Sequence, residues 1–205
     1  MKMIKFFAAL IVMFAAATAT VNAQDLNKEQ KKQVKTLQKE GWKVSPGAPS
    51  LATQIIRADA LQSEMDADGY PKWLTAEGRS TGSIYNAARA AANTVAKNEL
   101  ASNIQTEITT LIEQKIGNDE QGKGEAESIM STIQASKGRI IQKIGRVRPV
   151  MECSRQLPNG NWEVLLRIAY SWDSIKKNVK DAVGEEAEKK GESKMSKRLD
   201  EIMGW

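Results

Sequence analysis

The stretch SIYNAARAAANTVAKNELASNI, residues 83–104, decides how the rest of the chain is read. Seven alanines occupy the fifteen positions from Ala87 to Ala101. Apolar residues continue beyond them in steps of three and four: Ile84, Ala88, Ala91, Ala92, Val95, Ala96, Leu100, Ile104, Ile108, Leu111, Ile112 and Ile116. That spacing, kept for about nine turns, predicts one long amphipathic helix. Its first half is faced with alanine and its second with isoleucine and leucine. Alanine lets a backbone approach another surface closely, whereas large aliphatic side chains fill a wider gap. The expectation is a helix lying tight against a sheet at one end and against other helices at the other.

The flanks supply the sheet. Residues 72–80 (KWLTAEGRS) read as a strand. After the glycine-broken GNDEQGKG at 117–124, a second helix is expected from Glu125 to Ile144, carrying Ile129, Ile133, Ile140, Ile141 and Ile144. The period then changes from helical to alternating. Val147, Met151 and Cys153 alternate with Arg148, Glu152 and Ser154, and Trp162, Val164, Leu166, Ile168 and Tyr170 share one face. Asn159-Gly160 between the two runs is a strong hairpin signal. Pro149 marks an edge strand or a bulge. The predicted class is α+β: a long alanine-rich helix and a second helix packed on a small antiparallel sheet with a C-terminal β-hairpin.

The N-terminal residues 1–23 have the parts of a secretory signal peptide: Lys2 and Lys5, an apolar run from Phe6 to Ala17, and Val21-Asn22-Ala23 at the end. The run is short for a transmembrane helix, which needs roughly 20 apolar residues. Cleavage is expected after Ala23, leaving an exported chain with no stable membrane insertion. Removing Lys2 and Lys5 from the thirty basic side chains leaves twenty-eight against twenty-five acidic ones, a net charge of +3. That mild excess does not suggest nucleic acid as a partner. Residues 24–69 form an N-terminal segment: a polar, exposed lead helix to Gly41, a proline-containing loop, a helix from Leu51 to Met65 capped by Ser50, and the turn DADGYP. Residues 70–172 hold the α+β domain. The charged tail, 173–205, has Ile175, Val179, Val183, Ala187, Met195, Leu199 and Met203 at multiples of four, which suggests a solvated, broken helix or a loosely ordered segment.

The chemistry on offer is narrow. The chain has no histidine, which removes Ser-His and Cys-His nucleophilic pairs and the usual zinc ligand sets. The single Cys153 cannot form an intramolecular disulfide, and its place on the inner face of a strand suggests a buried, inert thiol. EGRSTG has glycines at a strand-to-helix junction but lacks the lysine and spacing of a phosphate loop, so Gly78 and Gly82 suggest a short turn. MDADGY resembles the centre of a calcium loop, with Glu64, Asp66 and Asp68 at the first, third and fifth positions, but the twelfth is Thr75, which is no bidentate carboxylate. A solvated acidic turn is expected there. Among five tryptophans, Trp73 and Trp162 fall in predicted strands and suggest core positions, while Trp42, Trp172 and Trp205 lie near ends or loops as candidates for an exposed contact. No motif pairs the turn acids Asp66, Asp68, Asp119 and Glu120 for carboxylate hydrolysis. The expectation is therefore a protein without catalytic, metal-binding or cofactor-binding residues.

The strand ending Glu77-Gly78-Arg79-Ser80, the helix AARAAANTVAKNELASNI and the closing strand EVLLRIAYS, in this order over residues 70–172, resemble the LPP-twenty lipoprotein family, whose domain is similar to the N-terminal part of a flagellar assembly protein. The resemblance implies an α+β domain in the bacterial envelope, with no catalytic residues to carry over. Many members carry a lipidated cysteine at the cleavage site, whereas this junction reads TVNAQDLN, so a lipid anchor does not carry over. The expected protein is a non-catalytic envelope component, periplasmic or secreted and peripheral to the outer membrane, acting on an envelope protein partner through protein–protein contacts. The alternative is a periplasmic binding module for a small ligand or cell-wall glycan.

Overall fold

The computed structural model of the chain describes residues 26–67, 69–116, 123–145, 147–191, 197 and 199–201. The expected signal segment, Asp68, Asp119, Glu120 and Trp205 lie outside them. The chain folds as an α+β protein. In order, it forms α1 (Lys28–Lys39), α2 (Leu51–Ser63), β1 (Trp73–Gly82), α3 (Tyr85–Ile116), α4 (Lys123–Ala135), α5 (Lys137–Ile144), β2 (Pro149–Gln156), β3 (Trp162–Ser171) and α6 (Trp172–Lys189). The three strands make one antiparallel sheet in the order β1-β3-β2. Trp73 pairs with Ser171 and Gly82 with Trp162 on one side of β3, and Cys153 pairs with Leu165 on the other.

The alanine face of α3 lies on the sheet. Ala88, Ala92 and Ala96 are fully buried with Leu74 and Ala76 of β1 and Val164, Leu166 and Ile168 of β3. Two strand glycines set how close the helix comes. A Cβ at Gly78 would meet the Ala92 carbonyl oxygen at 2.0 Å, and one at Gly82 would meet the Ala88 nitrogen at 2.7 Å. These glycines therefore serve packing between backbones. At about 1.5 Å per residue, α3 extends to roughly 48 Å, longer than the roughly 33 Å of a ten-residue strand, so its C-terminal half overshoots the sheet. There Ile104, Ile108 and Ile112 are buried with Ile129, Ile133 and Ile140 from α4 and α5 and with Val179 and Val183 from α6. The division of the helix into an alanine half and an aliphatic half matches its two surroundings.

The expected helix from Glu125 to Ile144 is divided at Ser136. The Ser136 hydroxyl donates to Thr132 O at 2.7 Å, a back-bond that bends helices. The hairpin also departs from the simplest two-residue turn. Gly160 N donates to Leu157 O, Gly160 has φ +83°, and no described non-glycine residue has a positive φ. Pro158 and Asn159 thus occupy the centre of a type I turn and Gly160 takes the left-handed position after it, a three-residue connection. Pro149 stands where the β2–β3 register shifts, on an edge strand.

The other face of the sheet carries a second core. Leu26, Val34, Leu37 and Trp42 from the α1 region pack with Leu51, Ile55 and Ala58 of α2 against Met151, Cys153 and Leu165. The lead helix, expected to be exposed, is instead an outer layer packed on α2, with Val34 and Leu37 buried in the core that α2 forms on β2 and β3. Its start is fixed by a capping box: Asn27 Oδ1 accepts from Gln30 N, and Gln30 Oε1 accepts from Asn27 N. The C-terminal segment also differs from a solvated helix. Ser171 caps α6, and Ile175, Val179, Ala182 and Val183 are fully buried. Asn178 Nδ2 donates to both Tyr170 Oη and Lys143 O, tying α6 to the end of β3 and the end of α5.

Candidate functional site

Odd-numbered residues of β1, β2 and β3 point to the face that α1 and α2 only partly cover. In hairpin register Arg155 lies opposite Glu163, and on the other side of β3 Glu77 lies opposite Arg167. Glu163 receives one arginine on each oxygen: Arg79 Nε at 2.6 Å and Arg155 Nε at 2.7 Å. Its side chain is 9% exposed while that of Arg79 is 51% exposed, so the cluster has a buried anion and an accessible cation. Trp42 lies under both guanidinium groups, at 5.3 Å from Arg79 Cζ and 4.6 Å from Arg155 Cζ. The Trp42 Nε1–H donates to Glu40 Oε2, and Arg155 Nη1 donates to Glu40 O. Aromatic faces attract such cations, which gives this tryptophan a structural reason to be where it is.

A second row lies one register step away. Arg167 bridges Glu77 at 3.2 Å and Asp59 at 3.3 Å, and Asp59 accepts a further hydrogen bond from Gln30 Nε2. Charged side chains thereby tie the sheet to α2 and α1. On the opposite face, Glu152 Oε1 accepts from Tyr85 Oη at 2.5 Å and from Arg89 Nε at 2.8 Å, and the Tyr85 ring meets Trp162 edge-on at 5.9 Å.

The protonation energetics follow from these contacts. Burial raises the pKa of Glu163, but the hydrogen bonds from Arg79 and Arg155 outweigh it and hold the carboxyl below its ordinary value. Glu152 behaves the same way: burial pushes up, while Arg89 and Tyr85 together bring the carboxyl down. The Tyr85 phenol is raised, first by burial and then by the neighbouring Glu152. Carboxylates held low are poor proton donors near neutrality, where general acid–base work needs pKa values close to the working pH. Paired arginines and carboxylates of this kind are suited to recognition of another charged surface.

Glu64 gives one oxygen to Lys72 and the other to the Trp73 indole, and its carboxyl is lowered first by the Lys72 hydrogen bond. Asp66 Oδ1 accepts from Tyr70 N, closing the turn in which Gly69 has φ +82°. Among the described residues no three His, Cys, Asp or Glu side chains are grouped as metal ligands would be. Cys153 is 1% exposed, and burial pushes its thiol up to about 12. Trp42 and Trp172, expected in exposed contacts, are instead 3% and 7% exposed. Trp162 is half-buried and packs against the α3 core as expected, while Trp73 is half-buried and outside both cores. Arg79, Arg155, Glu163, Tyr85 and Glu152 were not singled out by motif. The Arg155–Glu163 pair was available from counting outward from Asn159-Gly160, but nothing local marks Arg79 or Tyr85.

No described helix is long and apolar enough to cross a membrane. No family model, curated protein or solved structure matches the chain.

Proposed function

We propose that this chain is a non-catalytic protein of the bacterial cell envelope that acts through protein–protein contacts. The observation that carries the reading is the charged sheet face. Its carboxylate Glu163 is clamped by Arg79 and Arg155, held ionised, and accompanied by half-exposed Glu77 and Arg79 side chains. Such a face offers fixed charges of both signs to a complementary surface. Export is supported by the signal-like residues 1–23, and the envelope assignment by the resemblance to the LPP-twenty lipoproteins. A glycan-binding module would want open indole faces, and the burial of Trp42 and Trp172 weighs against it.

The test is cross-linking on intact cells, followed by recovery from fractionated envelope and mass spectrometry of what is attached. A reproducible partner of different sequence is expected. Recovery from the cytoplasm, or from the envelope with no link to another protein, overturns the reading.

A further inference from the structure

The two edges of the sheet are treated differently. On β2, Lys43 exchanges both backbone hydrogen bonds with Ser154, and Gln54 Oε1 accepts from Glu152 N, so the outer edge is covered. On β1 the strand pairs with β3 through even-numbered residues. This follows from β2, where Ser154 and Glu152 bond outward and Cys153 therefore bonds inward to Leu165, leaving Val164, Leu166 and Ile168 to bond Ser80, Gly78 and Ala76. The backbone groups of Thr75, Glu77, Arg79 and Thr81 then point away from the sheet. Among the described residues, one hydrogen bond reaches this edge, from Asn103 Nδ2 to Thr75 O at 3.1 Å. A ten-residue strand with an uncovered edge is a template for pairing with another strand.

The sequence along that edge specifies what fits it. Thr75-Ala76-Glu77-Gly78-Arg79-Ser80-Thr81 is self-complementary about Gly78. Set antiparallel against a second copy, Thr75 meets Thr81, Ala76 meets Ser80, Glu77 meets Arg79 and Gly78 meets Gly78. Parity is also right, because Glu77 and Arg79 have outward backbone groups and would exchange both hydrogen bonds as a pair. The side chains of Glu77 and Arg79 are 48% and 51% exposed, each bonded on its inner side to β3. Bringing two copies together would place Arg79 between Glu163 and the second Glu77, and Glu77 between Arg167 and the second Arg79, so that the charges alternate without a break across the axis. On the other face, Ala92 and Ala96 of α3 sit on Gly78 while Arg89 leans toward β2, which leaves Val95, 44% exposed, on the flank over the open edge. A two-fold axis at Gly78 brings Val95 toward its own copy.

We propose that the chain forms a two-fold dimer through the outer edge of β1, in register about Gly78, making one continuous six-stranded sheet. This does not depend on the envelope reading, and its test is made on the purified protein. Sedimentation equilibrium is expected to give a concentration-dependent monomer–dimer mass. Glu77→Lys, which sets like charges opposite each other twice, weakens the dimer by about tenfold with the fold preserved by circular dichroism. Register is read separately by spin-labelling Thr81→Cys, since buried Cys153 takes no label. Positions three residues either side of the axis are separated by about 20 Å at strand rise, and dipolar spectroscopy should find a single distance near that value. A monomer mass at every concentration overturns the proposal, as does an undiminished dimer in Glu77→Lys or a label distance far from that expected.

Discussion

Gly78 and Ala92 are in such close contact that a methyl group at position 78 would sit 2.0 Å from the Ala92 carbonyl oxygen. The obstacle is helix backbone, which cannot rotate away as a side chain can. Gly78→Ala is therefore expected to destabilise the protein by about 3 kcal/mol or more, at the upper end of overpacking costs. Gly160→Ala, in open space but with φ +83°, should cost only about 1 kcal/mol. Urea titrations of the two variants check the order, and a Gly78→Ala protein as stable as Gly160→Ala would contradict the packing described.

Acid should unfold the protein through Glu163 and Glu152. Both have folded-state pKa values below their ordinary ones, so their contribution is present above the unfolded value of about 4.3 and is lost as pH falls through the folded value. Stability is expected to be flat above that range and to fall below it. In Glu163→Gln the acid-dependent loss should shrink while stability at neutral pH drops by about 1.5–3 kcal/mol, the worth of hydrogen bonds to a charged group. Denaturation midpoints measured from pH 3 to 7 give both quantities.

The thiol of Cys153 should be silent in the native state. With 1% exposure and a pKa pushed up to about 12, it has neither access nor thiolate at pH 8. A chromogenic disulfide reagent is expected to react with it only at the rate of unfolding and at once in denaturant. Prompt reaction in native buffer would show that α1 and α2 do not cover β2 as described.

Trp42 is held by two guanidinium groups and a covering helix. Trp42→Leu should cost about 3 kcal/mol, combining lost burial with two cation–π contacts of about 0.5–1 kcal/mol each. Arg79→Gln should cost less, because half of that side chain is already in solvent. Double-mutant analysis of the pair reads their coupling directly.

Much of this architecture was legible because its signals are periodic. The three- and four-residue steps of α3 and the alternation around Asn159-Gly160 depend only on neighbours in sequence. Cys153 was placed inward for the same reason. The burial of α1 was not legible, since Leu26, Val34 and Leu37 look too few until α2, with Leu51, Ile55 and Ala58, is seen to lie beside them on the sheet. The same holds for α6, whose partners on α4 and α5 are remote in the chain. For the candidate site the division is sharper. Arg155 and Glu163 are linked by hairpin register, but Arg79 meets Glu163 through the β1–β3 pairing, which skips a long helical stretch and leaves no local trace.

The strand order also fixes a sequence of events during synthesis. β3 is the last strand made and lies in the middle, so β1 has no neighbour until residues 162–171 have emerged. The β2–β3 hairpin can close early because its loop is short, whereas joining Trp73 to Ser171 requires closure of a chain segment containing α3, α4 and α5. Loop entropy makes that step slow relative to the local ones. Folding rate should therefore respond strongly to changes at the β1–β3 seam, and a nascent chain halted before β3 should present β1 with both of its edges open.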